Sequence, residues 1–258
     1  MITALIRIET LTNKYSKMRI ALIGYGKMGR EIEAAAIARG HEVVLKIDIN
    51  NIDEFTPDNL AKADVAIEFT RPNTALNNVL HCINSNIPVV CGTTGWADKL
   101  DEAVSLCRSK NGSFLWASNF SLGVNLFFKL NSHLATLMNR FDQYDASMTE
   151  VHHTQKLDIP SGTAITLAEG VIAELDRKKN WYSGCPASDS GKDILKIESI
   201  REGNVPGIHS ICYKSEYDSI TITHEAFTRQ GFALGAVIAA EYIAFRKGVF
   251  SMDDVLFN

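Results

Sequence analysis

The stretch Arg19–Gly24, RIALIG, is an unbroken apolar run that ends in glycine, the pattern of a strand buried on both faces. KMGREIEAAAIARG follows with apolar residues at helical spacing and stops at Gly40. HEVVLKID, ADVAIEFT, IPVVCGTTG and GSFLWASNF repeat the strand pattern, and PNTALNNVLHCINSN and WADKLDEAVSLCRSK read as helices between them. Strands alternating with helices from about residue 18 to 120 predict βαβ units and a parallel sheet.

The pattern then changes. SLGVNLFFKLNSHLATLMNRF reads as a long amphipathic helix, and DQYDASMTEVHH alternates by twos as a strand does. After a second helix, SGTAITLAEGVIAEL, come KDILKIESIR, GIHSICYKS and DSITITHEA, three strands in sequence with short turns. The helical tail FALGAVIAAEYIAF is placed back on the first domain. The predicted fold is α/β: an N-terminal Rossmann-type parallel sheet plus a smaller α+β domain with a mostly antiparallel sheet. The first domain is assigned to 1–120 and completed by 229–258; the second, for substrate binding and oligomerisation, to 121–228.

Composition narrows the class. At 258 residues, with 46% hydrophobic and 22% charged residues, the chain suits a globular protein with a real core. A formal net charge of -4 gives no basic field for nucleic acid, and no apolar run approaches a bilayer span. The basic cluster Arg177-Lys178-Lys179 reads as a solvated helix end. Five scattered cysteines without Cys-x-x-Cys spacing imply reduced thiols and a cytoplasmic setting. Residues 1–17 lack the features of a secretory signal; Met18 is a candidate start, with a short added strand as the alternative.

Two stretches carry chemistry. GYGKMG sets Gly24, Gly26 and Gly29 in G-x-G-x-x-G order between a strand and a helix, with Asp48 about twenty residues on. Such a turn brings backbone and helix N–H groups to a pyrophosphate, here through Gly24, Tyr25, Gly26, Lys27, Met28 and Gly29. Asp48 would accept from the adenosine ribose, which leans towards NADH, although Lys46 and Arg71 remain possible partners for a 2′-phosphate. Gly92, Thr93 and Thr94, and Ala117, Ser118, Asn119 and Phe120, follow later strands at the edge where such sheets bind ligands. Each of these two segments reads equally as a plain turn.

The second stretch is EVHHTQKLDIPSGTA. His152 and His153 end a strand and point to opposite faces, and no third ligand is seen at metal spacing, so no metal is assigned. Lys156 is a fixed cation, and PSGTA opens a helix whose Gly162 and Thr163 N–H groups are free for a carboxylate, with Ser161 as cap. A histidine beside such an anion site suits a general acid.

This stretch resembles the signature of the 4-hydroxy-tetrahydrodipicolinate reductase (dihydrodipicolinate reductase) family, and the likeness spans nearly the whole chain after Met18. GYGKMGR, EFTRPNTALNN, PVVCGTTGW, ASNFSLGVNL, IREGNVPGIH, ITHEAFTRQGFALGA and GVFSMDDVL share it. The resemblance implies a lysine-pathway oxidoreductase that uses NADH or NADPH on a small cyclic dicarboxylate. It implies acid–base roles for His152 and Lys156, and substrate contacts for His153, Ser161, Gly162 and Thr163. GTT and ASNF would contact cofactor, and the assembly would be a homotetramer formed through the second domain's sheet. Arg201 or Arg229 is a further candidate carboxylate anchor. The phosphate turn is one residue tighter than the family's G-x-x-G-x-M-G. Ile208 replaces the usual acidic residue before His209, so His209 is given no role. The alternatives are a related reductase of another small dicarboxylate and a non-catalytic nucleotide sensor.

Overall fold

A computed structural model describes residues 16–184 and 191–257. The candidate leader and Cys185 lie outside these residues, apart from the leader's last two positions. The chain divides into two compact units: one runs to Trp116 and resumes over Ala236–Val255, and the other comprises Ala117–Gly235 with the chain end.

In the first unit, β1 (Arg19–Ile23), α1 (Lys27–Ala38), β2 (Glu42–Ile47), the short α2 (Pro57–Leu60), β3 (Val65–Glu68), α3 (Pro72–Asn84), β4 (Val89–Cys91), α4 (Leu100–Ser109) and β5 (Ser113–Trp116) follow one another. They build a six-stranded sheet in the order β11-β5-β4-β3-β1-β2, parallel throughout, with β11 (Gly248–Phe250) supplied from the chain end. Ile20 and Leu22 on one face and Ala21 and Ile23 on the other are all buried, which explains why β1 reads as a continuous apolar run. The last helix to join this unit, α7 (Gln230–Ile243), is tied to it by buried polar contacts. Glu241 accepts from Arg39 Nε and Nη2 at 2.6 and 2.7 Å and lies 2.7 Å from His41 Nε2. β11 has only three residues and carries no periodicity that sequence could expose.

The second unit holds α5 (Leu122–Met138), β6 (Asp145–His152), α6 (Gly162–Glu174), β7 (Asn180–Ser183), β8 (Ile194–Arg201), β9 (Gly207–Lys214) and β10 (Ser219–Ala226). Its five strands lie in the order β10-β9-β6-β8-β7. The β10–β9 and β9–β6 pairs are antiparallel, whereas β6–β8 and β8–β7 are parallel. The sheet is therefore mixed rather than mostly antiparallel: β6 enters between β8 and β9, and the chain crosses over through α6 to lay β8 beside β6 in the same direction. α5 and α6 cover one face through Phe127, Met138, Leu167 and Val171, which meet Met148, Ile197 and Ile211 of the sheet.

The basic cluster after α6 departs from expectation. Lys178 is buried, and its ammonium donates to the Lys192 and Ile194 carbonyls at 2.8 Å and pairs with Asp145 at 2.8 Å. Arg177 donates to the Tyr144 carbonyl at 2.8 Å. These cations satisfy backbone oxygens at the edge of the second unit, so only Lys179 is left exposed as a solvated helix end would be.

Candidate active site

The glycine turn of the first unit is built as its spacing implies. Gly24 has φ +99°, and a Cβ there would meet the Phe69 carbonyl oxygen at 2.0 Å. A Cβ on Gly29 would meet the Gly24 oxygen at 2.4 Å, so the helix packs against the turn only as glycine. At Gly26, the residue that caps α1, nothing lies within 4 Å of such a methyl. That space, at the open N-terminus of a twelve-residue helix, fits a dinucleotide pyrophosphate. Lys27 is exposed and Met28 half-buried at the start of α1. The Tyr25 hydroxyl donates to Glu33, which also holds the Lys46 ammonium at 2.5 Å, and that ammonium stands 4.9 Å above the Tyr25 ring. Asp48 is half-buried just past β2, and its backbone N–H donates to Asn51 at 2.7 Å.

Past β4, the Gly92 position abuts the Phe69 ring, where a Cβ would come to 2.1 Å. Buried Thr93 accepts the Thr70 N–H at 2.8 Å on its hydroxyl, and its carbonyl takes the indole N–H groups of Trp96 and Trp116 at 2.7 and 2.9 Å. Thr94 beside it is exposed.

In the second unit the chemistry gathers where β6 meets the start of α6. Strand alternation puts Glu150 and His152 on the face that α6 covers, and both are buried. The β6–β9 register sets His209 opposite Glu150. Glu150 Oε2 is 3.3 Å from His152 Nδ1, at ion-pair distance though off the angle of a hydrogen bond, and 3.8 Å from His209 Nε2. The Ser161 N–H donates to both Glu150 oxygens at 3.1 and 3.2 Å, and Arg201 donates to Oε1 at 3.1 Å. Burial would raise the Glu150 carboxyl, but its contacts with His152 and Ser161 outweigh that and hold it well below the usual carboxylate range. His209, 5.0 Å from His152 ring to ring, is pushed down to about 4 by burial and then by the charge on His152.

Ser161 caps α6 by accepting the Ala164 N–H at 3.2 Å, and its hydroxyl also lies 3.2 Å from His209 Nε2. Gly162 is exposed and Thr163 half-buried in the first turn, so their N–H groups have no place in the helix ladder. The Lys156 ammonium pairs with Asp158 at 2.9 Å. His153 leaves the strand, half-buried, with its N–H bonded to the Val205 carbonyl at 2.8 Å. Asn119 donates to the Thr163 hydroxyl at 3.3 Å, and buried Phe120 and half-buried Ala117 flank it with exposed Ser118.

Comparison with known proteins decides the family. The description "Dihydrodipicolinate reductase, N-terminus" matches residues 18–120, and "Dihydrodipicolinate reductase, C-terminus" matches 123–256. The chain belongs to the dihydrodipicolinate reductase family. A curated 4-hydroxy-tetrahydrodipicolinate reductase of Christiangramia forsetii is 47% identical over 93% of this chain and 98% of its own length. One from Neisseria meningitidis is 34% identical over 87% of this chain and 83% of its own. Among solved structures, a dipicolinate-bound dihydrodipicolinate reductase from Paenisporosarcina sp. TG-14 shares the fold, with TM-score 0.71, 23% identity, and coverage of 92% of this chain and 98% of its own. A probable dehydrogenase from Thermotoga maritima shares it more distantly, at TM-score 0.55 and 11% identity over 92% of each chain.

Within this family member, two residues join the site that sequence spacing did not assign. Glu150 was legible as the same-face neighbour of His152, two positions ahead; His209 depends on a register between strands far apart in the chain. The expectation that no third ligand stands near the histidine pair is also corrected, because Glu150, His152 and His209 place ligand atoms within 4.8 Å of one another. Arg201 and the Ser161 amide already occupy that carboxylate, and a guanidinium there opposes a divalent cation. Glu150 is thus held by hydrogen bonds from Ser161 and Arg201, with His152 and His209 at ion-pair distance. Arg201, also bound to the Asp158 carbonyl at 2.7 Å, belongs to this cluster.

Proposed function

We propose that the protein reduces 4-hydroxy-tetrahydrodipicolinate to tetrahydrodipicolinate, consuming NADH or NADPH and one proton and releasing water, in the lysine and diaminopimelate pathway. The carrying observation is that buried His152 ends the strand from which a short loop bearing Lys156 leads to the start of α6, whose first N–H groups lie outside the helix ladder. The Gly162 and Thr163 amides and Lys156 bind one substrate carboxylate, with Ser161 holding the helix start in place. His153 contacts the substrate, and Arg229, exposed just before α7, is the remaining candidate for the second carboxylate because Arg201 is engaged by Glu150.

The turn at Gly24–Gly29, with Asp48, GTT and ASNF, holds the cofactor. Bound there, a reduced nicotinamide supplies the hydride. His152 supplies the proton to the developing enamine, and Lys156 shares the acid–base work. NADH is the preferred form, since Glu33 and the Tyr25 ring engage the Lys46 ammonium that a 2′-phosphate would need. The active form is a cytoplasmic homotetramer, joined through the second unit's sheet.

The test follows NADH and NADPH absorbance with purified protein and enzymatically generated substrate. NADH should be oxidised faster, and His152→Gln and Lys156→Ala should each lower kcat by about 10²–10⁴-fold. Oxidation of neither cofactor would overturn the reductase reading; variants within about tenfold of wild type would overturn the acid–base roles.

A further inference from the structure

Glu150 is placed to govern which nitrogen of His152 handles the proton. Alternation along β6 turns both side chains to the same buried face, with Glu150 Oε2 3.3 Å from Nδ1. That nitrogen is sealed from solvent. The carboxylate is itself fixed from two further elements: the Ser161 amide at the start of α6 donates to both oxygens, and Arg201 of β8 donates to Oε1. The contact is off the angle of a hydrogen bond, but a buried negative charge 3.3 Å away favours a proton on the nitrogen it faces and disfavours a lone pair there. The opposite nitrogen has a different neighbour. A Cβ on Gly207 would stand 3.1 Å from His152 Nε2, so glycine there keeps that side of the ring open.

We propose that Glu150 is a positioning residue for His152, holding the proton on Nδ1 so that Nε2 is the nitrogen that gives its proton to the substrate. When Nε2–H releases its proton to the substrate carbon, the ring is left as the neutral Nδ1–H form facing Glu150, and solvent restores Nε2–H before the next turnover. Arg201 and Ser161 act one step further out, by keeping the carboxylate in place. His209, edge-on to the ring at 73°, is a neutral neighbour rather than a second proton source. The catalytic part of this inference rests on the reductase reading; the tautomer part stands without it.

Two measurements test it. In wild-type protein labelled with ¹⁵N-histidine, the neutral His152 ring should show Nδ1 protonated and Nε2 bare; the reverse assignment overturns the proposal whatever the activity. In Glu150→Gln the amide can donate to Nδ1, so the ring should switch to the Nε2–H tautomer. Turnover should then fall about 100-fold with KM within about threefold, while Glu150→Asp, which keeps the charge, should recover about tenfold of the loss. A Glu150→Gln kcat within about threefold of wild type overturns the positioning role. Should that variant fail to fold, the wild-type tautomer decides. A wild-type enzyme that oxidises neither cofactor, yet shows the Nδ1–H tautomer, defeats the reductase reading alone.

Discussion

At the residue scale, burial and the neighbouring His152 charge push His209 from 6.5 down to about 4, and this ties stability to pH with a definite sign. The folded chain keeps the ring neutral while the unfolded chain takes up a proton as pH falls below 6.5. The contribution is therefore full above that value and is lost progressively between 6.5 and about 4. His224, lowered by burial, acts in the same direction. Glu150 works in a separate window: its carboxyl lies below the ordinary range, so its contribution begins to fade only as pH drops below 4.5. Urea unfolding should thus find the wild type about 2 kcal/mol less stable at pH 5 than at pH 7, and His209→Gln should remove most of that difference. An unchanged pH dependence in the variant would show that the ring is not buried neutral. His209 also marks a limit of sequence reading. A strand pattern shows that alternate residues share a face, which makes Glu150 and His152 neighbours, but which distant strand lies alongside is decided by packing of whole elements.

Elements that carry their own punctuation were the most legible. The first unit's β1 to β5 are bounded by glycines, prolines and turns, and each appears where its apolar run stands in the sequence. The second sheet was less so, because β8 and β9, consecutive in sequence, are separated in space by β6. A local pattern favours a hairpin there; the crossover through α6 overrides it. The glycine turn lets the fold and ligand roles of one element be separated. Gly29→Ala drives a methyl into the Gly24 carbonyl and should lower thermal stability by about 1–3 kcal/mol. Gly26→Ala meets nothing within 4 Å, so stability should stay within about 0.5 kcal/mol of wild type. The same methyl fills the space assigned to the pyrophosphate, and NADH affinity measured by fluorescence titration should fall at least about tenfold, or about 1.4 kcal/mol. Equal affinity in Gly26→Ala and wild type would remove the pyrophosphate from that turn.

For the whole molecule, the face of the second sheet turned away from α5 and α6 sets the expected assembly. Its rows run across four strands, Ile200–Val151–Ile208–Glu225 and Glu198–Thr149–Ser210–Thr223, each with one glutamate at its end and apolar or small polar residues at the other three positions. The homotetramer is proposed on the family resemblance, and this five-stranded sheet, with one face covered by helices, offers its other face for contact with another copy. Ser210 lies near the middle of this surface, its hydroxyl 2.9 Å from that of Thr223. Ser210→Lys places a cation there that costs a single chain little, since it can extend into water, but that must be desolvated in a face-to-face assembly, and symmetry would bring like charges together. Sedimentation velocity at micromolar concentration should show the wild type as a tetramer and the variant as smaller species with unchanged circular dichroism. A variant that sediments as a tetramer would move the interface off this face and leave the open surface without its proposed partner.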